Sequence, residues 1–346
     1  MRKFIIYIMT FVCICSLVLT GCTSNGNVIK ESTKSQDKAV QSTLIKYMDN
    51  YCSQHKFTGT ILVAKDDDVL LDRGYGMADY DKHIKNGPQT VFEIGSITKQ
   101  FTATAILMLQ EKKLLNVQDK LSKYISDYPN GDKIKIYNLL THTSGIDNYL
   151  KYSPKTIKNV YTPVDLISSF KDIPLNFDTG TKYEYSNSNY ILLGYIIEKV
   201  SGMKYEDYIE KNIFKPLKLK STGTLKDQTI RKNKAIGYSY KIDAKSYKYK
   251  YQATNKSDKD WSVPYASGEI CSTVEDLYRW NKALNEEKLI NKQSLNKMFT
   301  PYLGDYGYGW NIIKAKNNDK IVCHSGRIPG YISYILRDMI QLDIIN

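Results

Sequence analysis

A serine and a lysine three residues apart, Ser96 and Lys99, are the pair best suited to do chemistry in this chain. They stand at the predicted start of a helix over residues 96–111, where positions i and i+3 share a face, so the two side chains can meet. A serine hydroxyl becomes a strong nucleophile when a base takes its proton, and a lysine can act as that base if burial lowers its pKa. Because this spacing is common by chance in a lysine-rich chain, further residues must support a nucleophilic serine.

Two further groups of residues could complete a hydrolytic site. Tyr185 can relay a proton or be held as phenolate beside a lysine, and Asn187 can bind a substrate amide and the lysine at once. His324 and Gly326 end a predicted strand, and a glycine there lets a substrate backbone lie along the strand edge. The N–H of Arg327, which follows, can serve as an oxyanion donor. The three groups together indicate acyl-transfer chemistry.

An antiparallel sheet covered by helices must position these groups. Residues 59–64 and 69–75 form β-rich runs that predict a hairpin, and about 115–225 is mainly helical. Residues 235–262 alternate Tyr with Lys, which is typical of a two-stranded surface ribbon and suits either glycan binding or simple decoration. Further strands are predicted at 306–313, 320–324 and 331–336. The order indicates the α+β class, with an all-helical lobe inserted between the strands.

Three local signals predict where helices begin or end. Thr162 followed by Pro163 is an N-cap with proline at the first helical position. A helical stripe of apolar residues ends at Gly202, which is typical of a helix C-terminus. Ser272 and Glu275 have the spacing of a capping box at the start of another helix.

The motifs SxxK, YxN and HxG follow one another about 90 and 140 residues apart. In this order they resemble the serine β-lactamase and penicillin-binding protein superfamily, and most closely its class C β-lactamase-like branch. Framework segments at residues 74–78, 139–145 and 306–310 agree with the resemblance. It implies an antiparallel sheet flanked by helices, with an inserted all-helical lobe.

The resemblance also implies roles for individual residues. Ser96 corresponds to the acylated nucleophile, Lys99 to its base partner, and Tyr185 to a second base that protonates the leaving group and activates water. Asn187 would orient the substrate, and the N–H groups of Ser96 and Arg327 would form the oxyanion hole. These expectations make the chain an SxxK-type serine hydrolase that works through a covalent Ser96 acyl-enzyme.

One departure from the family bears on the substrate. His324 stands where many relatives have lysine, and a histidine is only partly charged near neutral pH. We therefore expect weak β-lactamase action and activity on D-amino-acid peptides of peptidoglycan type, β-lactams or small esters, with Arg327 as a candidate substitute cation. A true class C-like β-lactamase and a non-catalytic surface lipoprotein that binds penicillin or wall fragments are the alternatives. His142 falls in a framework loop and is not expected to be catalytic.

The N-terminus predicts a lipoprotein. Residues 1–21 combine Arg2 and Lys3 with a 15-residue apolar run, which is short for a membrane span and suits a bacterial lipoprotein signal peptide. Cleavage before Cys22 would place its lipid anchor on the outer face of the cell membrane. Residues 22–40 are polar and predict a flexible tether. Residues 41–346 would form the hydrolase domain, with an α/β part at 41–114 and 263–346 and a helical insert at 115–262.

Composition narrows the possible partners. The chain is 42% hydrophobic and 25% charged, as expected of a globular protein, and its net charge of +13 suits anionic wall polymers or lipid head groups. No nucleic-acid motif, metal-ligand spacing or phosphate-binding loop is apparent, so no cofactor, no metal and no nucleic-acid partner are predicted. Cys52, Cys271 and Cys323 are expected to be buried thiols, with one disulfide as the alternative.

The likeness to the family fades after residue 337. Relatives add a strand and a C-terminal helix here, and the remaining residues suffice for the strand alone. We therefore expect the family's C-terminal helix to be missing. An uncovered apolar face costs stability at about 25 cal/mol per Å², so a truncated product that folds poorly is expected.

Overall fold

A computed structural model describes residues 26–65, 67–152, 160–242, 249–254, 262–314, 320–339 and 342–345. The chain divides into two compact units, Met1–Tyr51 and Cys52–Asn346. The predicted signal peptide, 1–21, and the predicted lipidation site, Cys22, lie outside the described residues. Within the described ranges, no helix has both the length and the apolar composition that crossing a membrane requires.

The helices begin with one long N-terminal element and continue mainly through the middle of the chain. In chain order they are α1 (Gly26–Gln54), α2 (Thr98–Glu111), α3 (Ile136–Leu140), α4 (Pro163–Ser168), α5 (Asn187–Ser201), α6 (Tyr205–Ile209), α7 (Gln228–Asn233), α8 (Val274–Asn285) and α9 (Lys292–Met298). Because α1 begins at Gly26, residues 26–40, for which the sequence predicted a flexible tether, have a helical backbone. The stretch lacks proline, and the helix therefore runs without a break into the amphipathic segment that follows.

The strands of the described residues form one large sheet and three small ones. In chain order they are β1 (Gly59–Lys65), β2 (Asp68–Tyr75), β3 (Met77–Asp79), β4 (Ile84–Lys85), β5 (Phe92–Glu93), β6 (Gly223–Thr224), β7 (Tyr238–Ile242), β8 (Tyr249–Ala253), β9 (Ile270–Ser272), β10 (Asn311–Lys314), β11 (Lys320–Ile328), β12 (Tyr331–Asp338) and β13 (Leu342–Ile345). The large sheet has the order β10-β11-β12-β13-β1-β2, and all its neighbouring strands are antiparallel. The small sheets are β5-β9-β6, β3-β4 and β7-β8.

Most of the predicted strands are confirmed. The hairpin β1-β2, the ribbon β7-β8 and the strands β11 and β12 form where the sequence indicated. The residues after β12 form the strand β13, which pairs with β12 on one side and β1 on the other and so completes the sheet. The strand predicted at 306–313 begins only at Asn311, because residues 306–310 form a tight loop in which Gly307 donates to the Trp310 carbonyl. The insert at 115–262 is not exclusively helical, since it contributes β6 and the ribbon.

Two of the three predicted helix termini are confirmed. The Thr162 hydroxyl accepts from the Asp165 amide at the start of α4, and Gly202 ends α5 with φ +69°. The capping prediction for α8 was one residue early: Thr273, not Ser272, is the N-cap and accepts from the Asp276 amide. Ser272 is held in β9 instead.

Helix α2 lies at the centre of the hydrophobic core. Its residues from Thr98 to Leu109 are all buried, and Phe101 stacks on Trp280 of α8 with ring centroids 4.1 Å apart. Such burial on every side is typical of a central helix rather than a surface one. The three predicted thiols, Cys52, Cys271 and Cys323, are also buried, and no disulfide joins any two of them.

Candidate active site

Ser96 lies in a single 3₁₀ turn, Gly95–Ile97, that leads directly into α2. Gly95 has φ +51°, a conformation that favours glycine, and a Cβ atom there would lie 2.8 Å from the backbone nitrogen of Arg327. The glycine therefore permits both the turn and the close approach of β11. The Ser96 side chain remains half-buried at this junction.

Lys99 occupies the first turn of α2, three residues beyond the serine, and is fully buried. Its Nζ donates to Ser96 Oγ at 3.1 Å, to Asn187 Oδ1 at 2.8 Å and to the Ser267 carbonyl at 2.8 Å. As an ammonium group Lys99 would use all three of its donors in these contacts, whereas as a neutral amine it would donate to Asn187 and Ser267 and keep a lone pair for the Ser96 hydroxyl. The structure brings the predicted serine and lysine together and joins them to Asn187.

None of the three acceptors of Lys99 carries a charge. Burial therefore lowers the pKa of Lys99 well below its usual value of 10.5, because desolvation penalises the ammonium form without a carboxylate to offset it. A neutral amine in hydrogen-bonding distance of a hydroxyl can accept its proton. This is the condition under which Lys99 can activate Ser96.

Tyr185 packs beside the lysine just before α5. Its ring centroid lies 5.0 Å from Lys99 Nζ, and its hydroxyl is buried without a hydrogen-bond partner among the described residues. Burial raises the pKa of Tyr185. The residue is therefore a neutral phenol in this state, which favours a proton relay over a standing phenolate.

Asn187 is the first residue of α5. Its Oδ1 accepts from Lys99, and its Nδ2 lies 3.4 Å from Asn148 Oδ1. Because the oxygen faces the lysine, the amide nitrogen is the group directed to other acceptors. A substrate carbonyl is an acceptor of that kind, and the orienting role of Asn187 stays a prediction.

His324 lies on β11 and is buried, not exposed to the site as a partly charged group. Burial, reinforced by the nearby Lys99, lowers the pKa of His324 to about 3. No negatively charged group among the described residues compensates the imidazole for the loss of water, so burial favours the neutral ring over the partial charge that the sequence predicted. A neutral imidazole does not supply a cation at this position.

The absence of a side chain at Gly326 allows β11 to pack closely against its neighbours. This role is more direct than the predicted one of leaving the strand edge open to a substrate. A Cβ atom there would lie 1.9 Å from the Ile94 carbonyl oxygen, which accepts a 2.8 Å hydrogen bond from Ser333 Oγ of β12. The absence of a side chain lets β11 rest on the nucleophile turn. Arg327 follows, with an exposed side chain and a backbone nitrogen against Gly95.

A free strand edge nevertheless lies beside the turn. The ladder between β10 and β11 ends at the Asn311–Cys323 pair, whereas β11 continues to Ile328 with β12 on its other side. Among the described strands, none pairs with residues 324–328 on the β10 side. An extended substrate can therefore add to this edge by backbone hydrogen bonds.

His142 belongs to the support of the site. It is fully buried, and its Nδ1 faces the Asn189 amide at 3.1 Å and the Ser186 N–H at 3.3 Å, both of which donate to it. Its ring lies against Tyr185, with centroids 4.3 Å apart. His142 thus packs against the tyrosine and the start of α5, and it does not contact Ser96 in the described hydrogen bonds.

Sequence reasoning missed two residues that contact the motifs directly. Ser267 offers a backbone carbonyl to Lys99, and Tyr306 places its hydroxyl 3.0 Å from His324 Nε2. A backbone acceptor 168 residues away leaves no signal in side-chain chemistry. Tyr306 lay within a recognised framework segment, but nothing in its spacing pointed to the histidine.

The comparison with protein families decides the assignment. Residues 40–341 match the family model described as Beta-lactamase. The chain belongs to this family. This Beta-lactamase family member is 34% identical over 319 residues to the putative penicillin-binding protein PbpX of Bacillus subtilis (strain 168), over 90% of this chain and 76% of that protein.

Solved structures agree with the family assignment. The octameric penicillin-binding protein homologue from Pyrococcus abyssi superposes with a TM-score of 0.74 at 30% identity, over 88% of this chain and 73% of that chain. A D-stereospecific amidohydrolase from Streptomyces sp. gives 0.65 at 25% identity, over 83% and 88% of the two chains. The predicted superfamily, that of serine β-lactamases and penicillin-binding proteins, and the predicted α+β fold are confirmed.

Proposed function

We propose that this chain is an acyl-serine hydrolase that forms a covalent acyl-enzyme at Ser96 and acts on D-amino-acid peptides, amides or small esters. One observation carries the proposal: Nζ of the fully buried Lys99 lies within hydrogen-bonding distance of both Ser96 Oγ, at 3.1 Å, and Asn187 Oδ1, at 2.8 Å. A buried lysine without a carboxylate partner costs stability, and such groups persist mainly where their chemistry is used.

The proposed reaction has two halves. The neutral amine of Lys99 takes the Ser96 proton as Oγ attacks the substrate carbonyl carbon, and the N–H groups of Ser96 and Arg327 receive the oxyanion. The tetrahedral intermediate then collapses: the scissile bond breaks, and the leaving amine or alcohol takes a proton relayed through the Tyr185 hydroxyl. In the second half water attacks the acyl-enzyme ester and gives a proton to the Tyr185 hydroxyl. The proton returns through Lys99 to Ser96 Oγ as the ester bond breaks, and the acid product is released.

The names of related proteins support the substrate class. The relatives include penicillin-binding proteins and a D-stereospecific amidohydrolase. A penicillin presents an amide carbonyl that acylates a serine, and a D-amino-acid amide presents the same carbonyl without the strained ring. Slow reaction with β-lactams and turnover of amides or esters are therefore expected together.

Covalent labelling tests the proposal. Folded protein is treated with a fluorophosphonate and, separately, with a fluorescent penicillin, and the modified peptide is found by mass spectrometry. We expect a mass increase on the Ser96 peptide that disappears in Ser96→Ala. Absence of labelling by both probes in a sample shown to be folded by circular dichroism would contradict the proposal and favour a non-catalytic binder.

The rate of deacylation separates the proposal from a true β-lactamase. Hydrolysis of a chromogenic cephalosporin is measured together with hydrolysis of a D-amino-acid amide. We expect a long-lived penicilloyl adduct and little cephalosporin turnover, because the neutral His324 offers no charge to a β-lactam carboxylate. Rapid steady turnover of the cephalosporin would assign the chain to the β-lactamases instead.

Membrane anchoring through Cys22 is a separate part of the proposal, supported by the apolar run that precedes the cysteine. Cells expressing the chain are fed a clickable fatty acid, and the protein is followed into the membrane fraction. We expect labelling of the wild type and loss of both label and membrane association in Cys22→Ala. Equal labelling of the two would refute lipidation at this residue.

A further inference from the structure

The 3₁₀ turn Tyr265–Ser267 provides one of the hydrogen-bond acceptors of Lys99. The carbonyl of its last residue, Ser267, accepts from Lys99 Nζ at 2.8 Å. Its first residue, Tyr265, has φ +38°, in the left-handed region that bulky side chains rarely adopt. Such a backbone conformation persists only where the surrounding structure enforces it. The contacts around Tyr265 therefore decide where the Ser267 carbonyl points.

The side chain of Tyr265 is hydrogen-bonded to α5. Its hydroxyl donates to Glu198 Oε1 at 2.8 Å, and the same oxygen accepts from the Tyr205 N–H at the start of α6 at 3.0 Å. The rings of Tyr265 and Tyr205 lie 5.1 Å apart. Burial, reinforced by the charge of Glu198, raises the pKa of Tyr265 well above its ordinary range. The phenol therefore keeps its proton and remains a donor to Glu198 at neutral pH.

Two further contacts fix the turn against α2 and α5. Thr102 Oγ1, on α2, donates to the Ala266 carbonyl at 2.8 Å. On α5, a Cβ atom at Gly194 would lie 2.4 Å from Ala266 Cβ and 2.5 Å from Tyr265 Cε1. A glycine inside a helix costs stability, and the close approach of the turn explains its presence here. Each of the three residues of the turn thus has its own hydrogen bond to a neighbouring helix.

The direction of the Ser267 carbonyl matters because it orients the amine of Lys99. A neutral amine has two N–H groups and one lone pair. When the N–H groups donate to Ser267 and Asn187, the lone pair faces Ser96 Oγ, 3.1 Å away. If the carbonyl moves, the amine can rotate about its last C–N bond and turn the lone pair away from the hydroxyl. A residue that fixes the carbonyl therefore acts on the proton transfer.

We propose that Tyr265 is a positioning residue for acyl transfer: by donating to Glu198 it fixes the turn that directs the Ser267 carbonyl at Lys99. The inference rests on the proposed acyl-serine function and adds a residue that acts through the turn, not on the substrate. The carboxylate charge of Glu198 is not required, because both of its donors share the single oxygen Oε1.

The pH profile of Ser96 labelling by a fluorophosphonate tests the inference. In Tyr265→Phe we expect the plateau of the rate to fall about tenfold, which corresponds to the loss of one hydrogen bond. The acid limb of the profile should also move to lower pH. The Ser267 carbonyl binds an ammonium group more strongly than a neutral amine, so its displacement lowers the pKa of Lys99. A loss of stability alone would leave the limb in place.

Tyr124→Phe is the matched control. The Tyr124 hydroxyl donates to Asp119 Oδ2 at 2.6 Å, so this variant loses a hydrogen bond of the same kind, and neither residue contacts Lys99 in the described hydrogen bonds. Its plateau and its acid limb should both equal those of the wild type.

Variants of Glu198 ask the same question from the other partner, and they cover the case in which Tyr265→Phe does not fold. Glu198→Gln keeps an oxygen that can accept from both donors, so its profile should match that of the wild type. Glu198→Leu has no acceptor and should show both the lower plateau and the shifted limb. A wild-type profile in Glu198→Leu would overturn the inference.

The remaining titratable groups around the lysine are disfavoured in their charged forms. Those that lie near Lys99 are Tyr185, Tyr190, His142 and His324. Burial raises the pKa of both tyrosines and lowers the pKa of both histidines. Each group is thereby held toward its neutral form, so the acid limb is expected to report Lys99.

Glu269, two residues beyond the turn, is the other buried group whose ionisation could shape the profile. Burial raises its pKa well above the ordinary range, Glu206 adds to the rise, and Lys226 opposes it. Glu269→Gln keeps a neutral side chain of similar size, and its acid limb should equal that of the wild type. Loss of the limb in this variant would assign it to Glu269 and overturn the inference.

The other outcomes are distinguishable as well. Absence of labelling at Ser96 in the folded wild type removes the proposed function itself. Normal labelling of the wild type with equal plateaus in Tyr265→Phe and Tyr124→Phe overturns this inference alone. A lower plateau in Tyr265→Phe with the acid limb unmoved, or moved to higher pH, also overturns it, because the residue then supports the fold without directing the carbonyl at Lys99.

Discussion

Lys99 Nζ donates to Asn187 Oδ1 across 2.8 Å, so one hydrogen bond joins the first motif of the site to the second. The bond spans 88 residues of sequence and connects the first turn of α2 to the first residue of α5. Both helix starts are thus fixed relative to each other at the place where the nucleophile stands. The orientation of the lysine depends on the asparagine as much as on its own helix.

Asn187→Ala should slow acylation of Ser96 substantially. It removes one of three acceptors of Lys99 and the amide nitrogen available to a substrate carbonyl. A lost hydrogen bond to a potentially charged group is worth about 2 kcal/mol, which corresponds to roughly a 30-fold lower rate. The measurement is the second-order rate constant of labelling by a fluorophosphonate.

Asn212→Ala provides the control, because the Asn212 amide donates to the Tyr208 carbonyl one turn earlier, away from the site. Its labelling rate should match that of the wild type. Equal rates for Asn187→Ala and the wild type would show that Lys99 is positioned without the asparagine.

The pH dependence of acylation should report the lowered pKa of Lys99. The amine can accept the Ser96 proton only when neutral, so the rate falls as pH drops through the pKa of Lys99 and is constant above it. Since burial lowers that pKa well below 10.5, the plateau should be reached well below pH 10.5. A labelling rate that still increases about tenfold per pH unit up to pH 10 would contradict a neutral lysine at neutral pH.

Local signals were sufficient where the structure depends on neighbours in sequence. Thr162 and Gly202 specify helix ends through side-chain capping and a left-handed backbone, and both were predicted from residue type alone. The serine and lysine share a helical face for the same reason. The prediction of Ser272 as the N-cap of α8 was wrong because its hydroxyl has a competing long-range partner, Thr222, 50 residues away.

The rest of the site depends on burial that the sequence does not display. The protonation state of His324 depends on which residues pack around it. Only the fold brings it within hydrogen-bonding distance of the Tyr306 hydroxyl and near Lys99. The Ser267 carbonyl is equally invisible, since every residue has one. The sequence therefore predicted which groups react. It did not predict their protonation states or the buried residues that contact them.

Gly326→Ala should destabilise the fold and slow acylation. The new methyl group would meet the Ile94 carbonyl oxygen at 1.9 Å, and this neighbour is backbone that cannot rotate away. Overpacking of this kind costs about 1–3 kcal/mol. Urea denaturation gives the change in stability, and fluorophosphonate labelling gives the effect on the nucleophile turn.

Gly87→Ala is the matched control for this substitution. A Cβ atom at Gly87 meets nothing within 4 Å, so we expect no loss of stability from contact. Equal stability of the two variants would show that β11 does not need to approach the turn so closely. A destabilised Gly326→Ala protein with an unchanged labelling rate would limit the role of the glycine to folding.

The buried ion pair between Glu93 and Lys234 should stabilise the segment that precedes the nucleophile Ser96. Their side chains are 7% and 6% exposed and lie 2.6 Å apart. Burial alone would lower the pKa of Lys234, but Tyr331 and Glu93 more than reverse this effect and raise it. A raised pKa means that the stabilisation is complete below pH 10.5 and is lost only as pH rises past the raised value, so the pair persists at neutral pH.

Removing either partner leaves one uncompensated buried charge, which typically costs about 3–5 kcal/mol. We therefore expect Glu93→Gln and Lys234→Met each to lower the free energy of unfolding strongly, and the double variant to lose much less than the sum. Urea denaturation of all four proteins gives this coupling. Additive losses would show that the two charges act independently. A strong coupling accompanied by slower Ser96 labelling would show that the pair also positions the serine three residues further along the chain, because Glu93 lies in β5 directly before the turn.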